Sequence, residues 1–92
     1  MKPTFLLLIQ MYNFEGMVAL GKVLNPATNQ LSKSLEHAKY VIDILEVLKD
    51  KTRGNLDSEE SRLLDQTLSS LKLNYVDEMG NPDAPSTTES LA

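Results

Sequence analysis

Between Thr4 and Leu20 the chain is apolar in nearly every direction around a helix, and no other stretch restricts the fold as strongly. At 100° per residue, Gln10 and Asn13 fall about 60° apart and Glu15 about 160° from Asn13, so the polar groups do not merge into one water-facing side. Phe5, Leu6, Leu7, Leu8, Ile9, Met11, Tyr12, Phe14, Met17, Val18 and Leu20 occupy most other directions. Such a helix must be enclosed by protein or touch a membrane. One neighbouring helical hairpin cannot bury all of it. A symmetric dimer in which the helix packs against its twin and both hairpins would, and a twofold is the commonest oligomer symmetry. Gly16 and Ala19 are the small residues where two backbones approach closely; the alternative is that they fit under a side chain of their own chain.

The rest of the chain offers few other ways to cover that helix. With 92 residues there is room for one domain, and a chain this short buries a smaller fraction of its surface than a larger one. It has no cysteine and a single histidine, so disulfides, cysteine-bound zinc and histidine metal clusters are excluded as staples. Oligomerisation remains, and a cysteine-free chain fits a reducing cytoplasm. The net charge of -4 argues against nucleic acid as a partner. Lys49, Lys51 and Arg53 read instead as cations at a helix C-terminus, where unsatisfied carbonyls concentrate negative charge.

Lys2 followed by Phe5 to Ile9 has the look of a signal-peptide start, but Gln10 interrupts the run and no small-x-small cleavage pattern follows. The stretch also falls short of the roughly 20 apolar residues of a membrane-crossing helix. Export and membrane crossing are therefore not expected.

Turn and cap residues divide the chain into three helices, about 4–20, 35–52 and 58–78, forming one domain over 1–80. Pro3 or Thr4 opens the first and Gly21 closes it. Asn25-Pro26, Asn29 and Ser32 mark an ordered connector. Ser34 caps helix two, with Gly54 just beyond its end. Asp57 and Glu60 have capping-box spacing at the start of helix three, and Gly80-Asn81-Pro82 ends it. Residues 81–92 are polar and aperiodic, the composition of a disordered tail. No strand-like alternation of useful length appears, so the fold class is all-α.

Helix three carries a core stripe of Leu64, Leu68, Leu71 and Tyr75, widened by Leu63 and Thr67. Ala38, Val41, Ile42, Leu45 and Leu48 make the matching stripe on helix two, opposite a solvated face of Glu36, Lys39, Asp43, Glu46 and Asp50. The short connector predicts an antiparallel hairpin. Helix two has a second apolar strip, Tyr40, Ile44 and Val47, that a two-helix hairpin leaves exposed; helix one or a second subunit must cover it.

No catalytic, cofactor-binding or metal motif emerges. His37 reads as a surface histidine without a nucleophile placed by any motif, and Asp43 with Glu46 or Glu59 with Glu60 are pairs that hydrated helix faces produce routinely. Glu15, a carboxylate on an apolar helix, must reach solvent, find a partner or protonate. Lys22, seven residues on and near the same face, is a candidate partner.

Three segments carry a resemblance to a family: Leu20-Gly21-Lys22-Val23-Leu24-Asn25-Pro26-Ala27-Thr28, Ala38 through Leu48, and Glu46 through Leu56 with its Lys51-Thr52-Arg53-Gly54-Asn55-Leu56 run. Over Phe5 to Val76 the chain resembles short bacterial helical proteins known only as a domain of unknown function, number eighteen forty-four. The resemblance implies a cytoplasmic bacterial protein and brings no activity, ligand or catalytic residue. Two departures stand out: Leu24 and Asn29 replace the proline and glycine typical there, and helix one is bulkier at Met11, Asn13, Phe14 and Glu15.

The sequence thus leads to a small all-α interaction or scaffold protein without catalysis or cofactor, homodimeric through helix one. The expected interaction residues are Leu7, Met11, Phe14, Met17 and Val18, with Tyr40, Ile44 and Val47 on helix two. The alternative is a peripheral membrane or lipid-contacting module that uses the same first helix.

Overall fold

Each helix begins where a side chain satisfies an amide that has no partner inside the helix. A computed structural model describes residues 3–80 and contains α1 (Phe5–Ala19), α2 (Leu35–Lys51) and α3 (Ser58–Met79). The tail expected over 81–92 lies outside the described residues. At α1 the Thr4 hydroxyl accepts from the Leu7 amide at 3.1 Å, and at α2 Ser34 accepts from the His37 amide at 3.2 Å. At α3 the capping box is complete: the Glu60 amide donates to Asp57 at 2.8 Å and the Asp57 amide to Glu60 at 3.0 Å. The ends fall within one residue of those read from the sequence.

Gly21 closes α1 with φ of 78°, a left-handed conformation that costs glycine least. The Lys22 amide donates back to the Met17 carbonyl at 2.9 Å and the Gly21 amide to Val18 at 3.0 Å, the two bonds of a Schellman motif. The chain then makes a small excursion and returns. Antiparallel bridges join Leu20 to Lys33 and Asn25 to Gln30, and the Ser34 amide donates to the Ala19 carbonyl at 2.8 Å. At the tip, the Asn25 side chain accepts from the Ala27 amide at 2.8 Å, and Asn29 takes φ of 56°. Asparagine is one of the few side chains that tolerates this left-handed position, so the connector turns there without a glycine.

The three helices form an up-down-up bundle. Lys49 on α2 reaches Asp65 on α3 at 3.1 Å, and Lys72 on α3 pairs with Glu46, which sets the antiparallel hairpin. α1 lies against both helices. Ile9, Ala19, Leu20, Ala38, Val41, Ile42, Leu45, Leu64, Leu68 and Leu71 are buried as one core, with Met17 and Tyr75 among the half-buried residues packed on it. The intended core stripes of α2 and α3 therefore face inward, together with the Ile9, Gly16 and Ala19 side of α1.

Gly16 and Ala19 serve the chain's own core. A Cβ built on Gly16 would lie 2.8 Å from Leu71 Cδ2 and 3.4 Å from Val41 Cγ1. The close backbone approach expected between twin helices occurs instead where α1 crosses α3, because only a missing side chain lets Leu71 pack against the helix.

At the far end of the bundle sits a group of charges that periodicity did not show. Glu78 is buried in the last turn of α3, where Lys22 reaches one carboxylate oxygen at 2.5 Å and buried Lys33 donates to the other at 3.3 Å. Lys22 also lies 4.0 Å from Asp77. The Lys22 hydrogen bond, aided by Lys33, holds the Glu78 carboxyl below its ordinary range against the opposing effect of burial. The same bond to Glu78 raises the Lys22 ammonium, again against burial. Both lysines belong to the connector, so this cluster ties the excursion between α1 and α2 to the end of α3.

Candidate association face

The surface of α1 opposite the core is also apolar. Leu7, Met11, Phe14 and Val18 follow 4, 3, 4 spacing, which stacks them along one side of the helix. Met11 is 60% exposed and Phe14 47%, large values for apolar side chains; Leu7 and Val18 are half-buried. α1 thus presents two apolar faces, with the inner one used by the bundle. Met17 belongs to the inner one, since it packs on the core, while the other four expected residues of this helix lie on the outer one.

Beside the outer face runs an open groove of about 710 Å³, walled by Leu8, Met11, Tyr12 and Val18 on one side and by Pro26 and His37 on the other. Glu15 stands in this groove and does not reach Lys22. Its carboxylate accepts from His37 Nε2 at 2.7 Å, both side chains being half-exposed. The Lys22 pairing expected from sequence is thus replaced: Schellman closure turns Lys22 away from α1 toward α3, while the antiparallel run of α1 and α2 brings His37 alongside Glu15.

His37 joins the groove to the second strip. Its ring centroid lies 6.0 Å from that of Tyr40, and Tyr40, Ile44 and Val47 line a smaller apolar hollow of about 270 Å³ on the outer side of α2. Tyr40 and Val47 are exposed and Ile44 half-buried. α1 does not cover this strip, so the expected residues of the two helices border one continuous surface that passes across His37. Sequence periodicity missed a further group, Leu73, Val76 and Met79, exposed on the last turns of α3. Their 3, 3 spacing was the available signal.

No serine, threonine or cysteine among the described residues lines the groove beside the Glu15–His37 pair. Among the described residues there is no group of three or more histidine, cysteine, aspartate or glutamate side chains that could hold a metal ion. Lys49 and Arg53, two of the cations clustered at the end of α2, are in ion pairs with Asp65 and Asp50. No described helix is long and apolar enough to cross a membrane.

Fold and surface together define an all-α three-helix bundle with an apolar face left open along its first helix. The chain belongs to the family described as Domain of unknown function (DUF1844), whose model matches residues 2–77. No curated protein and no solved structure matches the chain.

Proposed function

We propose that this protein is a non-catalytic, cytoplasmic association module that forms a homodimer through the outer face of α1 and the adjoining strip of α2. The observation that carries this reading is that α1 is apolar on both sides while the bundle covers only one. Exposed apolar patches of this kind mark interfaces. The absence of cysteine supports a reducing compartment. Against the membrane alternative, α1 lacks the Lys/Arg-rich polar face of helices that lie in a bilayer surface; its one charge in Phe5–Ala19 is acidic.

Light scattering of the purified chain across a hundredfold dilution tests the proposal. A mass twice that of the chain, shifting to the single-chain mass on Met11→Asp with the helical signal retained, is the expected result. A single-chain mass at every concentration, together with cosedimentation on anionic vesicles, would replace the dimer by membrane contact.

A further inference from the structure

The two apolar strips meet at a pair of titratable side chains. Met11, Phe14 and Val18 of the α1 stripe are also walls of the groove in which Glu15 and His37 stand. The α2 strip begins at Tyr40, whose ring centroid lies 6.0 Å from that of His37. Whatever covers both strips therefore covers the pair and takes it out of water. We propose that closing this surface is coupled to a proton on His37, so that chains associate with Glu15 and His37 as a carboxylate–imidazolium pair and separate as pH rises. This inference rests on the dimeric reading above and adds its regulation.

The physical cause is the cost of burying charge. Glu15 is the one charged side chain of Phe5–Ala19, and His37 Nε2 lies 2.7 Å from its carboxylate. Both side chains are 45% exposed, so in the single chain water screens the carboxylate whether or not the imidazole is charged. A second copy on this surface removes that water. A carboxylate facing a neutral imidazole is then an uncompensated charge in an apolar seam, whereas facing an imidazolium it belongs to a pair with no net charge. Histidine is the side chain whose charge changes between about pH 5 and 8, and His37 is the one histidine of the chain.

The surroundings of His37 supply no second charge in that role. From α1 the groove receives Glu15 and Tyr12, from the connector the uncharged Asn25 and Pro26, and from α3 no residue. On α2 itself, Tyr40 faces the ring, Glu36 is exposed beside it in sequence, and Lys39 is paired with Asp43 at 3.2 Å. Association that takes up a proton is strongest at low pH, where the imidazolium is already present, and weakens as pH rises by up to about tenfold per pH unit for each chain.

Light-scattering mass across a hundredfold dilution, repeated near pH 6, 7 and 8 at constant ionic strength, gives the dimer dissociation constant at each of these roughly spaced points of the histidine range. The constant is expected to be about tenfold or more larger at the highest pH than at the lowest. His37→Gln should flatten the profile at the weak end of the wild-type range. Glu15→Gln should reverse its slope, because the imidazolium is then the unpaired charge. Helical signal is recorded for both variants, and the wild-type profile decides the coupling without them. A twofold mass with one constant at every pH would overturn the coupling and leave the dimer standing. A wild-type slope that survives in His37→Gln would assign the proton to another group and overturn it as well. A single-chain mass at every pH and concentration would overturn the dimer and the coupling together.

Discussion

At Glu78, one side chain decides how the connector sits. Lys33 is buried beside it and Lys22 reaches its other oxygen, so Glu78→Gln removes the carboxylate charge that both ammonium groups share. Removing one member of a buried pair costs about 3 kcal/mol or more, so thermal unfolding is expected to shift down by on the order of 15 °C in a domain of this size. A shift comparable with that of an exposed control such as Asp43→Asn would deny the cluster its role. The pH dependence has a definite direction. Glu78, held below its ordinary 4.5, contributes fully above about pH 4.5, and its contribution is lost as pH falls through the lower folded value. Lys22, raised above 10.5, contributes fully below that value, and its contribution is lost as pH rises through the folded one. Urea midpoints for wild type and Glu78→Gln should therefore converge at acid pH and stay apart between these limits. Gly16→Ala is a second probe at this scale. Overpacking against Leu71 costs about 1–3 kcal/mol and alanine's helix propensity returns about 1, so a net loss of roughly 1 kcal/mol is expected in a denaturant titration.

The two faces of α1 separate fold from assembly. Met17 and Met11 are the same residue type on one helix, but Met17 packs on the core and Met11 projects to solvent. Aspartate at position 17 puts a charge against that core and should lower the unfolding temperature steeply, whereas aspartate at position 11 should leave it nearly unchanged in dilute protein while reducing the mass to that of one chain. Calorimetry and light scattering on the two variants check this contrast. Equal loss of folding in both would mean that the outer face also supports the bundle. Much of each element was legible beforehand, because caps and stripes are local: Ser34, the Asp57–Glu60 box and the Leu64, Leu68, Leu71 spacing each act within a few residues. Thr4, named beside Pro3 as the opening of α1, acts in the same local way through its hydroxyl and the Leu7 amide.

For the whole molecule, association should appear as stability linked to concentration. If the outer face of α1 is buried between two copies, the unfolding temperature rises with protein concentration, since mass action favours the state that binds. Met11→Asp should abolish that dependence, and differential scanning calorimetry across the same dilution range reads it directly. The sequence alone determined three helices, their ends and their core stripes, because side-chain periodicity and capping are properties of adjacent residues. It also showed that α1 has more apolar surface than one hairpin can cover. Only the tertiary structure decided which apolar residues were left over, that Gly16 seats Leu71, that Glu15 meets His37, and that Glu78 lies buried between Lys22 and Lys33. Those contacts join residues 22 to 56 positions apart, and their partners follow from how the helices cross and where the connector returns, which no local pattern encodes.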